Sequence, residues 1–156
     1  DAKDVAVIIF GSGGEAKAFI YSLLEAGAPH VWVLNRNLDR AKNLSARFGD
    51  RVSLHEVSDL PNLLGDCNLL VNTTSLGMTG QPPLAVDLSN LPKNAVVNDI
   101  VYAPLETDLL KQARAMGAVA VDGLGMLLHQ AAPGFAKWFG TEPAVNDELR
   151  RAVLAK

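Results

Sequence analysis

The sequence predicts an α/β fold, a doubly wound parallel sheet of about six strands with helices on both faces. Three observations lead there. Apolar runs of strand length alternate with amphipathic segments of helix length along the chain. The runs are nearly continuous in Val, Ile and Leu, which suits parallel strands buried on both faces. A glycine-rich turn follows the first run and opens the first helical segment, the arrangement of a nucleotide-binding strand-to-helix turn.

Taken in order, the first strand is expected at Val5–Phe10, followed by a helix over Gly14–Ala26. Strand two, Val31–Leu34, leads to a helix over Leu38–Phe48, and strand three, Val52–His55, to a short helix near Ser58–Leu64. Strands four and five fall at Asn68–Asn72 and Ala95–Asp99. A helix over Thr107–Met116, strand six at Ala118–Val121 and a helix over Met126–Trp138 complete the domain. Gly27, Gly49 and Gly117 each follow an amphipathic run by one residue, where a left-handed helix cap belongs. Right-handed crossovers give the strand order 3-2-1-4-5-6, which places a ligand at the carboxyl ends where the order reverses. The stretch from Leu76 to Pro92, with two glycines and three prolines, is the longest irregular one and is expected to be a mobile loop beside that site.

Size and composition narrow the function classes. A chain of 156 residues, 49% apolar and 20% charged, fits one globular domain, and no apolar run has membrane-spanning length. A net charge of -3 without a Lys/Arg-rich run argues against nucleic acid as a partner. Cys67 is the single cysteine, so no intramolecular disulfide can form; it is expected as a small apolar residue in a strand, beside Leu69, Leu70 and Val71. With no signal-peptide pattern, the expected location is cytoplasmic. The chain starts at Asp1 and enters a strand by Val5, which reads as a boundary between domains: a binding domain over residues 1–140, then a linker and helix over residues 141–156.

The chemistry gathers at the strand ends. Gly11-Ser12-Gly13-Gly14-Glu15-Ala16 is a G-x-G-x-x-A turn, in which Gly11 permits the tight turn, Gly13 admits a pyrophosphate and Ala16 lets the helix pack close. The helix N-terminus offers free N–H groups to the phosphates. At the end of strand two, where NAD enzymes carry a carboxylate for the ribose, the chain has Asn35-Arg36-Asn37. Arg36, with Arg40 one turn on, suits a 2'-phosphate, so the expected cofactor is NADP. No His, Cys and carboxylate spacing suggests a metal, and no nucleophile motif is present. His30, His55 and His129 are scattered and are not expected to transfer protons.

Three further stretches carry a resemblance. Asn72-Thr73-Thr74-Ser75-Leu76-Gly77-Met78, Asp99-Ile100-Val101-Tyr102-Ala103-Pro104-Leu105-Glu106-Thr107, and Asp122-Gly123-Leu124-Gly125-Met126-Leu127-Leu128-His129-Gln130-Ala131-Ala132 resemble motifs of the shikimate dehydrogenases. Phe135, Trp138 and Gly140 extend the likeness, which spans Val5 to Gly140; Thr73 departs from the commoner alanine.

The resemblance implies a Rossmann-type NADP domain in which Gly11 to Glu15 hold the pyrophosphate and Asn35, Arg36 and Arg40 the adenosine phosphate. It implies that Asn72 to Ser75 line the cofactor groove, that Ile100 and Gly123 abut the nicotinamide, and that Tyr102 and Gln130 reach the substrate, shikimate or 3-dehydroshikimate. It also implies that the catalytic Lys/Asp pair belongs to an N-terminal domain with no counterpart here, so that no catalytic residue is expected in this chain. Quinate/shikimate dehydrogenase, aminoshikimate dehydrogenase and a stand-alone NADP-binding module are the alternative readings.

Overall fold

The computed structural model describes residues 4–155, so the outermost residues of the two expected segments, 1–3 and 156, lie outside the described residues. Six strands form one parallel sheet: β1 Ala6–Phe10, β2 His30–Leu34, β3 Val52–His55, β4 Leu69–Asn72, β5 Val96–Asp99 and β6 Val119–Val121. The order across the sheet is β3-β2-β1-β4-β5-β6, as the crossover rule requires. The order reverses between β1 and β4, whose Phe10 and Asn72 lie side by side.

Six α-helices accompany them: α1 Gly14–Glu25, α2 Leu38–Phe48, α3 Leu60–Leu63, α4 Asp108–Ala115, α5 Leu124–Phe139 and α6 Asp147–Leu154. Alternation along each strand sends side chains into two cores. Val7, Ile9, Val31 and Val33 pack with Ile20 and Leu24 of α1 and Leu44 of α2. Ile8, Phe10, Leu70 and Val97 pack on the opposite face with Leu60, Leu109 and Leu110. Burial of each such aliphatic side chain contributes about 1.5–3 kcal/mol, which is why near-continuous apolar strands are stable here.

The element ends differ from the sequence reading by one or two residues, for identifiable reasons. β4 begins at Leu69 because the Asn68 side chain, rather than a ladder bond alone, meets the chain there: its Oδ1 accepts from the Ala6 N–H at 2.8 Å. α5 begins at Leu124, two residues early, because the Asp122 carboxylate accepts from the Leu124 N–H at 3.0 Å. α4 starts after Thr107, whose hydroxyl caps Leu110 N–H. The short helix after β3 is an α-turn over Leu60–Leu63 flanked by 3-10 turns. Gly27, Gly49 and Gly117 all have positive φ; Gly49, with ψ of -154°, lies outside the left-handed helical region and leads into a 3-10 turn.

Three expectations are corrected. Cys67 is buried but precedes β4, ending the 3-10 turn before it, and burial pushes its thiol up to about 12. The stretch from Leu76 to Pro92 is irregular but anchored: Leu84, Leu88 and Leu91 enter the core, and Thr79 N–H donates to the Ala103 carbonyl at 2.8 Å. β6 is an edge strand with Val119 and Val121 exposed, so coverage on both faces fails there. His30 of β2 and His55 of β3 also share the Ser53 hydroxyl, at 2.8 and 2.9 Å. Adjacent strands bring together what sequence separates.

Candidate functional site

Site building begins at Gly11, where φ is 103°, a region that L side chains rarely enter. A Cβ there would also lie 2.8 Å from Thr73 Oγ1, so the turn closes only over glycine. Thr73 is itself committed: its hydroxyl donates to the Phe10 carbonyl at 2.6 Å. The residue that replaces the commoner alanine thus ties β4 to β1 beneath the glycine turn. Beyond it the backbone is open, with nothing within 4 Å of a Cβ placed on Gly13 or Gly14. Gly13 caps α1 without a side chain, which leaves the first-turn N–H groups of Gly14, Glu15 and Ala16 free of side-chain partners. Ala16 is fully buried against the sheet, as close packing of α1 demands.

The end of β2 is fastened to this turn. Asn35 Nδ2 donates to Ser12 Oγ at 3.2 Å and to the Asn37 carbonyl at 2.7 Å. Asn37 Oδ1 accepts from the Arg40 N–H at 3.3 Å and caps α2. Arg36 and Arg40 are exposed, and neither guanidinium pairs with a carboxylate among the described residues. Two arginines without a carboxylate partner, on a strand end tied to a glycine turn whose helix lacks a side-chain cap, make a surface suited to phosphate groups.

The floor is a buried polar network. Asn72 Nδ2 donates to Asp99 Oδ1 at 3.0 Å and to the Leu76 carbonyl at 3.1 Å, while its Oδ1 accepts from the Thr74 N–H and hydroxyl. Asp99 Oδ2 accepts from the Thr107 hydroxyl at 2.6 Å, and Oδ1 also accepts from Val101 N–H. Burial raises the Asp99 pKa above its ordinary value, against the lowering effect of these donors. Asn72, fully buried, therefore lies beneath the groove and not in it: its amide holds the loops after β4 and β5 together. Thr73 and Thr74 line the groove while their hydroxyls are engaged within the protein, Thr73 with the Phe10 carbonyl and Thr74 with Asn72 Oδ1 and the Leu76 N–H.

Above this floor lies a cavity of about 380 Å³ lined by Glu15, Thr73, Thr74, Ser75, Ile100, Tyr102 and Gln130, together with Met78, Ala103, Met126 and Leu127. Of the expected site residues the structure thus brings seven together from α1, the β4 and β5 loops and α5. Gln130 Nε2 donates to Glu15 Oε2 at 3.3 Å across the cavity mouth. Gly123 lies behind the wall, where its backbone N–H meets the Val101 carbonyl at 3.2 Å. His129 is exposed and does not line the cavity. The sequence reading missed Met78, Val101 and Ala103, in loops, and Leu127, on α5, as wall residues, since apolar side chains carry no chemical signature. Met126 stands one turn from Gln130 on the same face of α5. Among the described residues no cluster of three metal-ligating side chains occurs, and no helix is long and apolar enough to cross a membrane.

Comparison with known proteins places this geometry. The family model described as shikimate / quinate 5-dehydrogenase matches residues 1–80, and that of the shikimate 5'-dehydrogenase C-terminal domain matches residues 123–153. A shikimate dehydrogenase (NADP(+)) of Jannaschia sp. is 55% identical over 148 residues, which are 95% of this chain and 53% of that protein. Among solved structures, a quinate dehydrogenase from Corynebacterium glutamicum in complex with NAD superposes with a TM-score of 0.86 at 34% identity, covering 100% of this chain and 57% of that one. The Thermus thermophilus shikimate 5-dehydrogenase, in complex with NADP(H) and shikimate, gives 0.74 at 33% identity, covering 88% and 50%. The chain spans about half the length of the curated relatives it matches. Its glycine turn, strand order and three motif stretches, matched across nearly the whole chain, place it in the shikimate/quinate dehydrogenase family.

Proposed function

We propose that this chain is the NADP-binding half of a cytoplasmic shikimate dehydrogenase, which joins a catalytic N-terminal domain to reduce 3-dehydroshikimate to shikimate. One observation carries the reading: the end of β2, which bears the exposed, carboxylate-free Arg36 and Arg40, is fastened to the glycine turn of α1 by the Asn35–Ser12 hydrogen bond. The cavity fits a cofactor that runs from there toward Ile100 and Tyr102. In this reading the N–H groups of Gly13 to Ala16 take the pyrophosphate, Asn35 braces the turn, and Arg36 and Arg40 take the 2'-phosphate. Bound NADPH supplies the hydride. Ser75 and Ile100 shape the groove, with Gly123 behind it, and Tyr102 and Gln130 orient the substrate by hydrogen bonds to its hydroxyl groups.

The carbonyl oxygen must also gain a proton, and this demands a donor with a suitable pKa beside it. Tyr102 and Gln130 are orienting groups, and Glu15 is engaged with Gln130, so the proton comes from the partner domain. An exposed apolar surface supports such a partner: Trp138 is 82% and Phe139 66% exposed at the end of α5. Calorimetric titration of the chain with NADP+ and NAD+ tests the reading; equal affinity for the two would refute it. The likeness to the NAD-bound quinate dehydrogenase keeps quinate as a second candidate substrate, separated from shikimate by assay of the two-domain protein.

A further inference from the structure

We infer that Glu15 is a positioning residue for Gln130 and so determines which hydrogen-bonding group the substrate side of the cavity presents. The inference rests on the reading above, in which Gln130 faces the substrate. Its ground is the contact of Gln130 Nε2 with Glu15 Oε2 at 3.3 Å, between residues 115 apart in sequence and on different helices. Both line the same cavity.

A glutamine amide is ambivalent: rotated by a half-turn it exchanges a donor for an acceptor with almost no change in shape. A carboxylate removes the ambivalence, because an ionised carboxylate only accepts. With Glu15 beside it, the NH2 group must be the end that turns to α1. One N–H of the amide is then spent on Glu15 and the second stays on that same branch, while the planar amide leaves Oε1 as the group on the other branch, and among the described residues Oε1 takes no hydrogen bond. Gln130 accordingly offers an acceptor, which selects a ligand bringing a hydroxyl donor and disfavours one bringing a carbonyl or ether oxygen to that spot. The same contact draws the Glu15 carboxylate toward α5. The first-turn backbone N–H groups of α1, including that of Glu15, remain for phosphate.

The test is the side-chain amide signal of Gln130 in heteronuclear spectra of the 156-residue chain, assigned by its loss in Gln130→Ala. Glu15→Ala removes the acceptor, and Glu15→Asp keeps the charge but falls one methylene short of the contact. Both are expected to move the Gln130 amide pair to the position of a free glutamine. An unmoved pair in Glu15→Ala would overturn the inference. So would a pair that moves in Glu15→Ala but not in Glu15→Asp, since charge and not contact would then be responsible. NADP+ is titrated into the same samples. A parent chain that does not bind NADP+ defeats the functional reading and leaves the amide result to stand or fall separately.

Discussion

A Cβ placed on Gly123 would lie 2.0 Å from the carbonyl oxygen of Ile100 and 2.7 Å from that of Val101. The loops after β5 and β6 therefore meet backbone to backbone, and the φ of -78° shows that crowding, and not conformational freedom, requires the glycine. Gly123→Ala must push these loops apart, at a cost of about 1–3 kcal/mol as in overpacked cores, and more if the backbone resists. Urea denaturation measures it. A change under about 0.5 kcal/mol, the range of an ordinary surface substitution, would show that the loops part freely.

Arg36→Ala is expected to weaken NADP+ binding roughly ten- to a hundredfold, since a charge-assisted hydrogen bond is worth about 1.5–3 kcal/mol. NAD+ binding should change little, because the lost partner exists only in the 2'-phosphate. Titration of both cofactors against both proteins checks the difference. An equal loss for NAD+ and NADP+ would place Arg36 on some other part of the ligand.

The chain by itself should bind cofactor yet give no NADP+ reduction with shikimate. No lysine or histidine lines the cavity, and the Glu15 carboxylate is hydrogen-bonded to Gln130. Absorbance at the reduced nicotinamide band reads the result. Turnover by the purified chain would mean that the proton acceptor resides here.

Asp99 gives a pH signature. Burial raises its pKa above 3.8, so the folded state holds the proton more tightly than the unfolded one. Its contribution is fully present below that ordinary value and is lost as pH rises through the raised, folded-state value. Asp99→Asn has no such dependence. The stability of the parent relative to this variant should therefore be greater near pH 4 than near pH 7, by denaturation at both. The opposite trend would mean that the donors from Asn72, Val101 and Thr107 outweigh burial.

Arg150 of α6 pairs with Asp122 at 2.5 Å, the same carboxylate that caps α5. The tail helix is thus docked on its own domain near Leu149, while Val153 and Leu154 stay exposed. Arg150→Ala should cost less than about 1 kcal/mol globally, as partly exposed ion pairs do, yet speed amide exchange across Asp147–Leu154. Unchanged exchange there would assign the docking to Val145 and Leu149 alone.

The sequence by itself determined the sheet and its order. Strand and helix periodicities are local, a right-handed crossover admits one winding, and a glycine turn declares itself by residue type. Its errors lay where side chains from distant segments meet. Asn68 moved a strand end by bonding across the fold, and Leu84, Leu88 and Leu91 pinned a stretch whose glycines and prolines suggested mobility. Asn72 has the residue type of a ligand-binding group, but only the tertiary structure places it under the groove, because burial depends on what β5 and α4 lay over it. The Glu15–Gln130 contact and the Gly123–Ile100 approach were likewise settled by packing, since hydrogen bonds and steric clashes act at a few ångströms and sequence separation carries no information about them.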